Sequence, residues 1–224
     1  MTSKDEARSL LNHYANEVGF DGGQEGRLFE FVSLLRQWNG THNLTSIVDW
    51  SEMVVLHVFD ALTLLPFIHG KSFLDVGSGA GIPGIPLAIA RADLQVHSID
   101  SRRKKIQFQI LARHALGIKN FYPIHSRVEQ YPSVEKFDTL ACRAFSSLEK
   151  FVASSTNLCK PSGRLLAMKG AYPTEELGQL NPDIVDVVAV HELRIPGHVS
   201  TQRHLIEMRL VNSKLNKAIL KNKA

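Results

Sequence analysis

The chain has only two cysteines, Cys142 and Cys159, among its 224 residues. Two cysteines are too few for a disulfide framework or for a zinc site built on cysteine pairs, so we predict no bound metal. The first residues contain no apolar core of a secretion signal, and we expect no stretch to approach the roughly 20 apolar residues of a membrane span. These absences predict a cytoplasmic protein with no membrane partner.

The chain also lacks room for a second large domain. With 224 residues and 44% hydrophobic composition it can bury one full core. A two-domain dehydrogenase is therefore disfavoured.

A uniform excess of positive charge is missing as well, although the formal net charge is +4. Four of the 26 basic residues are lysines in an acid-free C-terminal tail, among them Lys214 and Lys217, and the other 22 equal the 22 acidic residues in number. Binding to nucleic acid would therefore depend on local patches and on this tail.

What the chain does have is a glycine-rich turn after an apolar segment, FLDVGSGAGIPG at residues 73–84. Gly77, Gly79 and Gly81 lack Cβ atoms, so the backbone can take positive φ and approach a ligand closely. The register also fits the G-x-G-x-x-G pattern of dinucleotide enzymes, which leaves two cofactors open. Asp75, two residues before the first glycine, favours S-adenosylmethionine.

A second acid follows at the expected distance from this turn. Residues 95–100 read as a short strand that ends at Asp100, where nucleotide-binding folds place an acid that hydrogen-bonds ribose hydroxyls. The alternative is a helix N-cap, because residues 102–116 follow as a helix. Arg102 and Arg103 begin a basic run that is either an RNA-binding patch or a solvated helix face.

Hydrophobic periodicity divides the chain into three parts. Three amphipathic helices precede residue 70, and strands then alternate with helices. The last two apolar runs, 184–195 and 203–211, are separated by a short Pro196-Gly197 loop and predict an antiparallel hairpin, an ending typical of class I methyltransferases. We predict an α/β fold with a doubly wound, mostly parallel, Rossmann-like sheet and a terminal antiparallel hairpin. Its parts are a helical cap at 1–70, a Rossmann-like domain at 71–212 and a basic tail at 213–224.

Several motifs together resemble one known family. They are WNGTHNLT from Trp38, DVGSGAGIPGIP from Asp75, CRAF from Cys142, MKG from Met168 and RHL from Arg203. Over nearly the whole chain they resemble the bacterial ribosomal RNA small-subunit methyltransferase G family, also called glucose-inhibited division protein B. The resemblance implies a class I S-adenosylmethionine-dependent enzyme that methylates N7 of a guanine in 16S rRNA, with rRNA or the small ribosomal subunit as its partner.

The resemblance also implies where the cofactor lies. Besides the three glycines and Asp100, the resemblance implies four further cofactor-binding residues. They are Ile82 of the glycine turn, Val128 and Glu129 after the third strand, and Arg143 after the fourth strand. Val128 and Glu129 have an alternative interpretation as an ordinary helix start. Arg143 is the one candidate catalytic residue, which would position the methionine carboxylate or an RNA phosphate; its alternative is a structural ion pair with an acid such as Glu149.

Candidate RNA contacts are spread along the chain. Asn39 and Asn43 are expected to follow the second helix. They either contact RNA or cover the cofactor, or they make local capping or turn bonds. His57 is interpreted as a core histidine with Asp60 as its partner. The complete set of RNA-binding candidates is Asn39, Asn43, Arg102, Arg103, Lys169, Arg203, Lys214 and Lys217.

The absence of certain motifs limits which atom can accept the methyl group. Guanine N7 has a free lone pair and no proton, so its methylation needs no general base. The Pro-Pro-aromatic motif of amine methyltransferases is absent, and Cys142 is interpreted as a buried strand residue rather than a nucleophile. Two alternatives stay open: a noncatalytic RNA-binding or ribosome-assembly protein, and a nicotinamide-dependent oxidoreductase. The sequence leaves the oligomeric state open and favours a monomer.

Overall fold

A computed structural model describes residues 1–18, 20, 23–132, 134–197 and 202–211. Lys214, Lys217 and the whole of the predicted basic tail lie outside the described residues. The described part contains a group of N-terminal helices and a seven-stranded sheet with helices on both faces.

Three helical segments precede the sheet, as predicted: α1 (Lys4–Val18), α2 (Gln24–His42) and a third run from residue 50 to residue 62. The third run begins as α3 (Trp50–Met53), continues as a π-helical turn (Val54–Phe59) and ends as α4 (Asp60–Leu62). Asp49 caps its start, because its carboxylate accepts hydrogen bonds from the backbone N–H groups of Ser51 and Glu52. A short 3-10 turn follows at Leu65–Phe67.

One stretch is more apolar than the sequence analysis expected. The helical window Trp50–Phe67 has a mean hydropathy of 1.3 over 18 residues, so by length and composition it passes the test for a membrane span. More than half of this window, 56%, is buried inside the fold. A buried core helix passes the same test, so this stretch is weak support for a membrane segment.

The strands alternate with helices, and their bounds follow the predicted segments closely. The strands are β1 (Ser72–Val76), β2 (Gln95–Asp100), β3 (Phe121–His125), β4 (Phe137–Arg143), β5 (Cys159–Lys169), β6 (Val185–Glu192) and β7 (His204–Leu210). The helices are α5 (Gly84–Ala90), α6 (Arg103–Ala115), a 3-10 turn (Val128–Gln130), α7 (Leu148–Ser155) and α8 (Thr174–Gly178).

The sheet order is β3-β2-β1-β4-β5-β7-β6. Strands β1 to β5 are parallel, whereas β7 pairs antiparallel with both β5 and β6, which confirms the predicted hairpin. The link between β6 and β7 runs from residue 193 to residue 203 and is longer than the predicted Pro196-Gly197 loop. The parallel order reverses between β1 and β4, and a ligand is expected outside the carboxyl ends of the strands at such a point.

The N-terminal helices and the sheet share one hydrophobic core. Phe31 and Trp38 of α2 contact Phe108 of α6, with ring centroids 6.2 Å and 6.0 Å apart. Leu35 and Leu28 are also completely buried in this core. A second core lies on the opposite face of the sheet, under α7. Because the first core is continuous, the N-terminal helices hold a fixed position beside the carboxyl edge of the sheet.

Candidate active site

Two adjacent cavities lie at the carboxyl edge of the sheet. The first, here called the glycine-turn cavity, has a volume of about 460 Å³ and is lined by the glycine turn, the end of β2, the 3-10 turn after β3 and the end of β4. The second, here called the arginine cavity, has a volume of about 340 Å³. Both are lined by Arg143 and Ala144, so they meet at the end of β4.

Most predicted site residues line one of these cavities. Those at the glycine-turn cavity are Gly77, Gly79, Asp100, Arg102, Val128, Glu129 and Arg143. Those at the arginine cavity are Arg143, Lys169 and Arg203. Val128 and Glu129 belong to a single 3-10 turn rather than to the start of a longer helix.

The glycine turn has the conformation that its sequence predicts. Gly77, Gly79 and Gly81 have φ values of 70°, 57° and 79°. A Cβ at Gly81 would lie 2.6 Å from the Cδ1 atom of Ile85, whereas a Cβ at Gly79 would meet no atom within 4 Å. Gly81 is therefore required for packing, and Gly79 faces open space. Gly81 and the buried Ile82 do not line the cavity.

Asp100 binds two backbone N–H groups, but it is not the N-cap of α6, which is Arg102. Its Oδ2 atom accepts a hydrogen bond from the Gly79 N–H at 2.9 Å, and its Oδ1 atom accepts one from the Arg102 N–H at 2.7 Å. Asp100 thus fixes the glycine turn and supports the start of α6. Each carboxylate oxygen has a second acceptor site, so these two bonds leave capacity for a ligand hydroxyl.

Asp75 is completely buried at the end of β1. Its Oδ2 atom accepts a hydrogen bond from the Gly84 N–H at 2.9 Å, which ties β1 to the start of α5. Burial raises the pKa of this carboxyl to about 7, against the lowering effect of that hydrogen bond.

This raised pKa predicts a measurable pH dependence of stability. Between pH 4 and pH 7 Asp75 is ionised in the unfolded chain but protonated in the fold, so its contribution to the free energy of unfolding should fall as the pH rises and level off above pH 7. Within this window, the free energy of unfolding should fall by about 1.4 kcal/mol per pH unit because of this group. Urea unfolding of the wild type and of Asp75→Asn across this range isolates the effect, because all other groups are common to both proteins. Parallel stability curves would refute the raised pKa.

Arg143 forms an ion pair, but with a different acid from the one suggested. Its Nη1 atom donates to the Leu56 carbonyl oxygen at 2.6 Å and lies 3.5 Å from Asp60 Oδ2. Asp60 is 2% exposed and also faces Arg203, whose Nε atom is 3.4 Å from Oδ1. Burial raises the pKa of Asp60, and the two guanidinium groups oppose the rise. The proposed partner Glu149 is therefore replaced by the buried Asp60, which lies between two partly exposed arginines, one at the end of β4 and one directly before β7.

His57 is a core histidine, as predicted, but the prediction that Asp60 is its hydrogen-bond partner is wrong. The Nε2 atom of His57 lies 3.0 Å from Thr45 Oγ1, and its Nδ1 atom lies 3.4 Å from Arg143 Nη2. Burial and the nearby Arg143 lower the pKa of His57 to about 3. At neutral pH the imidazole is therefore uncharged and helps to fix Arg143 without adding a second positive charge.

The π-helical turn Val54–Phe59 brings this polar group together. It carries Leu56 and His57, and Asp60 follows it directly. The 3.6-residue periodicity of the sequence gives no sign of this turn, and the carbonyl of Leu56 has no side-chain signal at all. Ala144, also missed, has φ 57° at the junction of the two cavities. Backbone strain of this kind is common at functional sites.

The remaining RNA candidates differ in their surroundings. Lys169 donates to the Glu176 carboxylate at 2.8 Å and 2.9 Å, whereas Arg102 and Arg103 are exposed. Asn39 lies inside α2 rather than after it, and its Oδ1 accepts from the Thr45 N–H at 2.8 Å. Asn43 is the C-cap of α2, with φ 49°. Local bonding is thus confirmed for both asparagines, as a turn bond at Asn39 and as the cap position at Asn43, and the RNA role stays a prediction.

Cys142 is 1% exposed in β4, and burial raises the pKa of its thiol. This confirms a buried strand residue. Among the described residues, no group of three His, Cys, Asp or Glu side chains is placed to hold a metal ion. The predicted absence of a metal stays a prediction.

Comparison with solved structures identifies the fold. A glycopeptide N-methyltransferase, MtfA, solved with S-adenosylmethionine, matches with a TM-score of 0.59 at 11% identity, over 68% of this chain and 86% of that one. A SAM-dependent methyltransferase from Aquifex aeolicus matches with a TM-score of 0.56 at 20% identity, over 70% and 93% of the two chains. The predicted class I methyltransferase fold is therefore confirmed.

Comparison of sequences identifies the family. The model of the family described as rRNA small subunit methyltransferase G matches residues 24–206. The relative of that name from Methylococcus capsulatus is 40% identical over 202 residues, which cover 89% of this chain and 97% of the relative. The relative from Aromatoleum aromaticum is 46% identical over 187 residues, which cover 81% and 88%. The chain therefore belongs to the rRNA small subunit methyltransferase G family.

Proposed function

We propose that this protein transfers a methyl group from S-adenosylmethionine to N7 of a guanine in 16S rRNA. The observation that carries the proposal is the pair of cavities that meet at Arg143 and Ala144. A cofactor in one cavity and a base in the other would place donor and acceptor on either side of the end of β4. Family membership supports an rRNA substrate. Our proposal adds the methylated atom, N7 of guanine, and therefore the product, 7-methylguanosine.

The residues of the glycine-turn cavity fit the cofactor. A Cβ at Gly79 would project into free space beside the cavity, so the missing side chain leaves room for a ligand to approach the backbone. We assign the ribose hydroxyls to Asp100, the adenine face to Val128 and the adenine amino group to Glu129. Gly77 and Gly79 would contact the methionine part, with Gly81 and Ile82 as supports. When bound, S-adenosylmethionine supplies an electrophilic sulfonium methyl group.

The arginine cavity fits a nucleotide. Ile47, Leu56 and Met168 give it apolar walls for a base, and Lys169 and Arg203 give it positive charge for a phosphate. Arg143 reaches both cavities and would position the reacting groups. Alignment and fixed charges of this kind can supply much of the rate enhancement.

Three acids line the two cavities, and we assign one of them, Glu129, to the adenine amino group. The other two suit an acceptor that needs no deprotonation. Asp60 is held between two guanidinium groups, and Asp100 binds two backbone N–H groups. Neither is poised as a general base. Guanine N7 presents a free lone pair and no proton, whereas an exocyclic amine would have to lose one. The buried thiol of Cys142 gives no support to carbon methylation.

Family membership removes the nicotinamide-dependent oxidoreductase, which leaves a noncatalytic role in RNA binding or ribosome assembly as the alternative. We also propose a cytoplasmic location, because ribosomal RNA is found there, and a monomeric enzyme that works without a metal or a membrane.

The proposed reaction is tested by identifying the methylated nucleoside that it produces. We expect 16S rRNA incubated with the protein and S-adenosylmethionine to gain 7-methylguanosine, detected by nuclease digestion and mass spectrometry. Aniline cleavage after mild borohydride reduction locates the same base directly. A methyl group on an exocyclic amine, a ribose oxygen or cytosine would refute the N7 assignment. RNA binding without any methyl transfer would favour the noncatalytic alternative.

A further inference from the structure

A third cavity, larger than the two at the sheet edge, lies on the N-terminal helices. It is an open groove of about 900 Å³, here called the cap groove. One wall is a polar face of α2 formed by Ser33, Arg36, Gln37 and Gly40, which are three or four residues apart and so share a side of the helix. Lys4 of α1 and Trp50 also line the groove.

The charged side chains that line the cap groove are all positive. Lys4 and Arg36 both line it, and no Asp or Glu is among the residues that do. Both cations converge on the ring of Trp50, at 5.7 Å for Lys4 Nζ and 4.8 Å for Arg36 Cζ. Within the described residues, neither cation forms a salt bridge. Two like charges thus face one open groove without a neutralising acid.

The acid directly before Trp50 is already engaged elsewhere. Asp49 precedes Trp50, and its carboxylate accepts hydrogen bonds from Thr2, Ser51 and Glu52. These bonds lower its pKa to about 2. The groove is therefore left with two cations and with the amides of Gln37 and Asn43, which suit phosphate oxygens and base edges.

The cap groove and the arginine cavity lie on either side of one short segment of the chain. Thr45, Ser46 and Val48 line the groove, whereas Ile47, between them, lines the arginine cavity. This one segment separates the two spaces. Thr45 also contacts His57, which contacts Arg143. A nucleic-acid strand that places one base in the arginine cavity would therefore cross this segment into the groove.

We propose that the cap groove binds the single-stranded RNA that flanks the target nucleotide, with Lys4 and Arg36 on its phosphates. The proposal rests on the proposed function, since the groove matters for catalysis only if RNA is the substrate. Single-stranded RNA is favoured over a duplex because it exposes the base edges that the groove amides can contact.

The test is the salt dependence of binding to a fluorescent oligouridylate of about 12 nucleotides, a length within the range of single-strand sites. Each lost phosphate contact lowers the log-log slope by about 0.7, so Arg36→Gln should lower it by about 0.7 and Lys4→Gln/Arg36→Gln by about 1.4. Lys4→Gln alone changes an exposed side chain and tests the groove even where Arg36→Gln perturbs folding. Calorimetric affinity for S-adenosylmethionine should not change.

The control is Arg27→Gln. Arg27 is on the same helix, nine residues before Arg36 and so about half a turn round from it, and it is absent from the groove lining. It removes the same charge and should leave the slope unchanged. An unaltered slope in the double variant, or an equal loss in Arg27→Gln, overturns the proposal. So does a wild-type dimer, seen by sedimentation, that the double variant abolishes, because the groove would then bind a second copy. Because no methyl transfer is measured, these results are independent of the product test.

Discussion

Gly79→Val is expected to lower affinity for S-adenosylmethionine by more than about a hundredfold, equivalent to about 2.7 kcal/mol. At φ 57°, with no atom within 4 Å of its would-be Cβ, Gly79 borders the glycine-turn cavity. A valine side chain would project into the space assigned to the ligand. Isothermal calorimetry measures the affinity directly.

Gly117→Val is the matched control for this variant. Gly117 has φ 61°, and a Cβ there would also meet nothing within 4 Å, but it lies after α6 and does not line the cavity. Both variants should lose stability through the left-handed conformation, by about 1 to 2 kcal/mol. Only Gly79→Val should lose the cofactor. Equal affinity in the two variants would contradict the assignment of this cavity.

The second large effect is expected at Arg143. Arg143→Ala should lower kcat/KM by more than about tenfold, which is about 1.4 kcal/mol of transition-state stabilisation. Because it also leaves the buried Asp60 with Arg203 alone, the melting temperature should fall as well. Activity is measured by transfer of labelled methyl groups to rRNA, below the temperature at which the variant unfolds.

Arg164→Ala separates the two effects. Arg164 is exposed to a similar extent as Arg143, 24% against 28%, and it also pairs with a poorly exposed carboxylate, that of Glu207. It lies on β5 and lines neither cavity of the candidate site. Its loss should lower stability without reducing kcat/KM. If both variants lose stability while both keep full activity, Arg143 has a structural role only.

The sequence predicted local elements well because their signals are local. Residues 95–100 were expected as a strand and form β2 with those bounds, since a short apolar run before a helix contains the required pattern. The partners of Arg143 could not be found in this way. Leu56 and Asp60 are 87 and 83 residues away in the chain, and one of them contributes only a backbone carbonyl.

The glycine turn shows a different limit of sequence reasoning. Gly79 and Gly81 have the same signature in the sequence, yet one faces a cavity and the other is required because Ile85 occupies the place of a Cβ. The absence of a side chain is visible in the sequence, but the reason for it depends on which atoms lie opposite. Distinguishing a ligand-contacting glycine from a packing glycine therefore requires coordinates.

The position of β7 inside the sheet affects how the chain can be made. Ribosomes deliver a chain from its N-terminus, and residues 204–210 come last among the described strands, yet they pair with β5 on one side and β6 on the other. Until they emerge, the edge of β5 at residues 165–169 has no neighbour, and β6 cannot join the sheet. A product that ends before residue 204 would therefore expose an unpaired apolar strand edge, which favours aggregation. For this topology, the sheet can close only after β7 has been made.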